Sequence, residues 1–162
     1  MKELAEKAEQ VVSALQKAKQ TLATAESCTG GLIAASITAV PGSSTCFGYG
    51  VVSYSNQAKM DVLRVQSQTL ARFGAVSEQT AYEMAEGLRA LSGADIAVSV
   101  TGIAGPGGGS AEKPVGLVYV ATATVMGIDV RQFLFQGDRQ EIRRQTAFHA
   151  LKMVEDAIRS SL

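Results

Sequence analysis

One histidine, two cysteines and no tryptophan leave this chain short of the residues on which metal and thiol chemistry usually rest. Cys28, Cys46 and His149 form no ligand-spaced cluster, so a metal centre has no support. His149 lies in an apolar helical stretch, where a core or surface role outweighs a catalytic one. Two cysteines in 162 residues make no disulfide framework and read as free thiols of a reducing compartment. Neither sign of charge is in excess: lysine plus arginine and aspartate plus glutamate stand at 15 each. No global field therefore draws the chain to nucleic acid or to an anionic membrane, and an anionic partner must be met locally. The apolar runs fall short of the ~20 residues that cross a bilayer, and the first residues read as a charged amphipathic helix rather than an apolar signal. The expectation is a cytoplasmic protein with no membrane or nucleic-acid partner.

What the chain does have is periodic patterning from end to end. "KELAEKAEQVVSALQKAKQ" places Leu4, Ala8, Val11, Val12 and Leu15 at helical spacing. "TLATA" then reads as a short strand, and "GGLIAASITAV" as a helix stopped before Pro41 and Gly42. A strand over roughly 47–54 and a short helix over 56–65 come next, and Ser77 opens a longer helix that Gly93 ends. "DIAVSV" reads as a buried strand and "TGIAGPGGGSAEKP" as a long glycine-rich loop. "VGLVYVATAT" and "DVRQFLFQ" form a hairpin that turns near Met126 and Gly127, before a terminal helix from about 137 to 160. Helices alternating with strands, then a hairpin, predict an α/β fold: a single three-layer α/β/α domain over residues 1–162 with a mixed sheet.

Four clusters carry polar groups where packing alone does not require them. In "TAESCTGGLIAAS", Ser27 and Thr29 stand where a strand gives way to a helix, beside amides that lack helical partners, and Gly30 and Gly31 admit close approach. Such a start holds an anion, presents a hydroxyl nucleophile beside an oxyanion site, or is simply an N-cap. Cys28 is a second conceivable nucleophile there, without an evident histidine partner. In "YSNQAK", Lys59 serves as a base for serine only if it turns inward and burial lowers its pKa; otherwise Ser55 or Asn56 caps a helix and the lysine is solvated. The glycine loop holds a ligand on its amides or is a flexible connection; its spacing is not that of a dinucleotide fingerprint. In "GDRQEIRR", Arg139 and Arg143 share a face at i, i+4, either to clamp an anion or to pair with acids near the Asp138 cap.

Taken together, "TAESCTGGLIA", "PGSS", "YSNQAK", "GAVSEQTA", "TGIAGPGGGSAEKPVG" and "GDRQEIRR" run in order through nearly the whole chain, which strongly resembles the CinA C-terminal domain family. The stand-alone form of that family is nicotinamide-nucleotide amidase. The resemblance implies hydrolysis of the carboxamide of nicotinamide mononucleotide to nicotinate mononucleotide and ammonia, with no cofactor and no obligatory metal. It assigns the nucleophile to Ser27, the lysine to Lys59 with Tyr54 assisting, the loop threonine to Thr101, and the phosphate-binding arginine to Arg139 or Arg143. Thr29, Gly30 and Gly31 with Gly102, Gly105, Gly107 and Gly108 would line the substrate. It also implies a homo-oligomer built from dimers. Activities of the N-terminal half of longer family members do not transfer.

The sequence departs from the family in one place. Family members commonly read "RGFVTYSN" along the second strand, whereas this chain reads "GYGVVSYSN", with Tyr49 replacing a basic residue and Ser53 a threonine. If that base bound phosphate or tuned Lys59, its loss would alter activity. Two other readings therefore accompany the amidase: a non-catalytic nucleotide-binding or regulatory module, with Tyr49 as its discriminating feature, and an amidase for another small carboxamide.

Overall fold

Every residue of β1 (Leu22–Glu26) is buried, because the strand runs through the middle of the sheet. It pairs in parallel with β2 (Phe47–Val52) on one side and β3 (Ile96–Gly102) on the other. From β3 the sheet continues antiparallel through β4 (Leu117–Thr124) and β5 (Gly127–Leu134). The order β2-β1-β3-β4-β5 makes one mixed five-stranded sheet, as the alternating helices and strands followed by a hairpin predict. The chain is described here from a computed structural model covering residues 2–160.

Period-2 alternation gives the sheet two unlike faces. On one, Leu22, Ile96, Val98, Val100, Val118 and Val120 pack against α1 (Lys2–Ala18), α2 (Leu32–Thr38) and α6 (Arg139–Ser160). On the other face the buried apolar residues of β1, β3 and β4 are all alanine: Ala23, Ala25, Ala97, Ala121 and Ala123. Small residues there let α5 (Glu78–Ser92) lie close to the strands, close enough for the Ser99 hydroxyl to donate to the Ala81 carbonyl at 2.7 Å. Next to α5 lie α3 (Asn56–Leu63) and α4 (Ser67–Phe73), the latter an element the sequence reading did not assign. Gly87 of α5 sits against the Leu63 carbonyl at the end of α3, where a methyl group would overlap the backbone.

Two boundaries differ from the sequence reading in ways that shape the site. The helix expected from Gly30 begins at Leu32, because Gly30 and Gly31 adopt positive φ of 57° and 109°. The strand expected to reach Tyr54 stops at Val52, which frees the Ser53 and Tyr54 carbonyls. From β1 the chain leaves through α2 toward β2, and it returns from β2 through α3, α4 and α5 to β3 on β1's other side. The carboxyl ends of β1 and β3 therefore flank a topological switch point, where open α/β sheets form a crevice.

Candidate active site

Ser27 is the first residue past β1. Its amide donates to the Val100 carbonyl at 3.1 Å, and the Ser53 amide donates to the Glu26 carbonyl at 2.9 Å. Ladder bonds thus run on from both flanking strands and hold the backbone where β1 ends. Lys59 lies one turn into α3, whose start is capped by the Ser55 hydroxyl accepting from the Ala58 amide at 3.0 Å. The lysine turns inward and is 1% exposed. Its Nζ stands 3.0 Å from Ser27 Oγ, 2.9 Å from the Ser53 carbonyl oxygen and 3.3 Å from that of Tyr54. Burial pushes the amine below its ordinary pKa of 10.5, and among the described residues no carboxylate forms an ion pair with it.

These groups open into a cavity of about 220 Å³ between the ends of β1 and β3. Of the residues expected from sequence, Ser27, Tyr54, Lys59, Thr101, Gly102 and Arg139 line it. So do Cys28, which the sequence reading weighed as a second nucleophile, and Asn56, Ala75, Val76 and Ala104, which it did not assign to a site. Asn56, Ala75 and Val76 fall inside "YSNQAK" and "GAVSEQTA", so a signal was present, but sequence spacing does not tell which side chains face inward. The Thr101 hydroxyl donates to the Ala75 carbonyl at 2.7 Å, tying the end of β3 to the loop before α5.

The two arginines, alike in sequence, separate in space. Arg139 lines the cavity, with one guanidinium nitrogen on the Gly105 carbonyl at 2.8 Å and the other 3.2 Å from the Tyr54 hydroxyl. Arg143 instead braces the turn after β1, donating to the Cys28 carbonyl at 3.2 Å and the Thr29 carbonyl at 2.8 Å. Gly107 and Gly108 lie in the exposed loop and do not line the cavity.

The start of α2 does not have the free donors that the sequence reading allowed for an anion. The Glu26 carboxylate occupies it. Its Oε1 accepts from the Thr29 hydroxyl at 2.6 Å, the Gly31 amide at 3.2 Å and the Ile33 amide at 2.8 Å, and its Oε2 accepts from the Ala34 amide at 3.0 Å. Thr29, Gly30 and Gly31 therefore form the turn without lining the cavity. The Gly30 amide is also engaged, donating to the Ser27 carbonyl at 3.1 Å. The Thr29 amide donates to no protein acceptor among the described residues, and the Cys28 amide faces its own thiol.

Other candidate groups separate clearly. Burial, reinforced by the Glu26 charge, pushes the Cys28 thiol up to about 12 against the pull of Arg143 and Lys59, so it carries no thiolate near neutral pH. His149 packs among Phe133, Phe135 and Phe148, with ring centroids 5.0 to 5.4 Å away. Tyr49 lies on the edge strand opposite Ala23, 46% exposed and outside the cavity lining.

Comparison with known proteins gives a consistent answer. A protein of Thermoanaerobacter pseudethanolicus named for competence-damage induction is 56% identical over 146 residues, which are 90% of this chain and 35% of that protein. A CinA-like protein of Geotalea uraniireducens is 53% identical over 141 residues, covering 87% of this chain and 34% of the relative. The chain thus spans about a third of the length of the curated relatives it matches. Among solved structures, the competence/damage inducible protein CihA of Agrobacterium tumefaciens superposes with a TM-score of 0.93 at 46% identity, over 97% of this chain and 96% of that one. A CinA superfamily protein of Enterobacter cloacae superposes with a TM-score of 0.90 at 35% identity, over 96% and 92%. The family model for the CinA C-terminal domain matches residues 4–158, and the chain belongs to that family.

Proposed function

We propose that the chain is a nicotinamide-nucleotide amidase, hydrolysing the carboxamide of nicotinamide mononucleotide with Ser27 as nucleophile and Lys59 as base. The observation that carries this reading is the buried Lys59 Nζ, 3.0 Å from Ser27 Oγ and held by two carbonyls. A neutral amine gives its two hydrogens to the Ser53 and Tyr54 carbonyls, which turns its lone pair toward the serine hydroxyl. Lys59 takes the Ser27 proton as Oγ attacks the amide carbon, and the two carbonyls stabilise the ammonium that results. That ammonium returns the proton to the leaving nitrogen, the C–N bond breaks and ammonia departs, leaving an ester on Ser27. Water attacks the ester, gives a proton to Lys59 and releases the carboxylic acid, after which the lysine returns the proton to Ser27.

The backbone amide of Cys28, which follows the nucleophile and lines the cavity, suits the oxyanion of each tetrahedral intermediate. Ala75, Val76 and Ala104 offer an apolar wall for a flat ring. Arg139 at the cavity suits the substrate phosphate, with its roughly −1.5 to −2 charges, whereas Arg143 is committed to the turn. We assign the reaction to the cytoplasm, a placement consistent with Cys28 and Cys46 standing as free thiols.

Incubating the purified protein with nicotinamide mononucleotide and measuring ammonia and nicotinate mononucleotide tests the reading. Turnover is expected in the wild type and not in Ser27→Ala, whose circular dichroism should be unchanged. Ammonia release at the wild-type rate by folded Ser27→Ala dismisses the nucleophile. Saturable binding of the nucleotide without turnover would favour the non-catalytic module, and turnover of other carboxamides alone would favour the alternative amidase.

A further inference from the structure

Glu26 takes no part in the chemistry above, yet it is 1% exposed, adjoins the nucleophile, and receives two hydrogen bonds from the turn that carries the nucleophile and two from the first turn of α2. The turn over residues 27–31 needs such support. Past the ladder bond of the Ser27 amide to Val100, its backbone is held only by local bonds such as Gly30 to the Ser27 carbonyl and Leu32 to the Thr29 carbonyl, and two successive glycines at positive φ give it more backbone freedom than other residues would. Where Ser27 Oγ stands relative to Lys59 Nζ depends on that turn. The Glu26 carboxylate gathers Thr29, Gly31, Ile33 and Ala34 onto one group, while Arg143 holds the Cys28 and Thr29 carbonyls.

We propose that Glu26 is a positioning residue, setting the nucleophile's approach to Lys59 by fixing the turn between β1 and α2. The proposal rests on the amidase reading in so far as Ser27 is the attacking group. All four neighbours of the carboxylate are donors. A glutamine of the same length must therefore turn its own N–H₂ against either the Ala34 amide or the other three donors, and an aspartate falls one methylene short. Either change lets the turn relax while leaving the cavity lining in place.

Two readouts on Glu26→Gln test this. The first is turnover of nicotinamide mononucleotide, where kcat is expected to fall about 10- to 100-fold, the scale on which small misplacement of a reacting group acts, while KM stays within about three-fold. The second is independent of the substrate: the rate at which an aryl sulfonyl fluoride labels Ser27, forming an O–S bond as fluoride leaves, read by mass spectrometry. That rate should fall in step with kcat, with circular dichroism confirming a folded chain. Thr29→Val, which removes one donor, should lose part of the activity, and Thr29→Ser should restore it.

A folded Glu26→Gln chain that labels and turns over at the wild-type rate overturns the proposal and leaves the amidase reading standing. Should Glu26→Gln fail to fold, the Thr29 pair decides the matter, since equal kcat in Thr29→Val and Thr29→Ser overturns it. A wild-type chain that neither labels nor releases ammonia removes the amidase reading and this proposal with it.

Discussion

At position 59 an amine is buried where a hydrocarbon would cost less, and burial acts on it in one direction. The folded chain releases the Lys59 proton at lower pH than the unfolded chain does, because desolvation disfavours the ammonium. Between that lowered value and 10.5 the unfolded chain binds more protons, so the stability contributed here is complete above 10.5 and declines as pH falls through the window. Measured against Lys59→Met, which lacks the titrating group, the wild-type melting temperature should gain as pH rises toward 10.5; a constant difference contradicts the assignment. The same direction makes kcat/KM rise with pH to a plateau, with an apparent pKa below 10.5. Arg139 tests the substrate end. Losing a charged hydrogen bond of about 1.5–3 kcal/mol should raise KM for the nucleotide by about 10- to 100-fold in Arg139→Ala, with kcat little changed and the phosphate-free nucleoside unaffected. Equal losses for nucleotide and nucleoside would place the phosphate elsewhere. At this scale Ser27, Lys59, Thr101 and Arg139 were visible in the sequence as residue types in odd company, and they do line one cavity. Glu26 stood in the same company and went unassigned, because nothing in a one-dimensional string shows a carboxylate folding back over four donors.

Among the elements, the packing of α5 turns on what is missing from the sheet beneath it. Alanines on that face bring the helix close, and Gly87 lets it cross the end of α3 against the Leu63 carbonyl. An exposed helical glycine usually gains about 1 kcal/mol on change to alanine; here the methyl would overlap backbone, so Gly87→Ala should instead lose about 1–3 kcal/mol. Urea unfolding measures the sign directly, and a stabilised variant would show that α5 has room to move. The principal strands and helices were legible, since apolar residues at period 2 and period 3.6 mark buried faces whatever the partner. Boundaries were less so. Gly30 and Gly31 look like the opening of a helix in sequence, and only the positive φ that lets the chain bend over Glu26 delays the helix to Leu32.

For the whole molecule, the two exposed sheet edges are unlike. The outer strand β5 carries Asp129 and Arg131, and Arg131 pairs with both Asp129 and Asp156, whereas residues 47–55, spanning β2 and the segment after it, hold no charge and no proline. Edges without such guards invite pairing with another chain, in keeping with the dimer-based homo-oligomer that the family resemblance implies. Light scattering should then give an even multiple of the 16.9 kDa chain mass; a monomer at assay concentration would end that expectation. The sequence by itself determined the α/β class, the sheet's central strands and the family, because hydrophobic periodicity and motif order are properties of the string. Tertiary structure alone decided which of two like arginines lines the cavity, that the helix start is filled by the chain's own carboxylate, and that Lys59 points at Ser27. Each of these depends on residues far apart in sequence meeting at the carboxyl ends of β1 and β3, where crossovers on opposite faces of the sheet open the crevice between them.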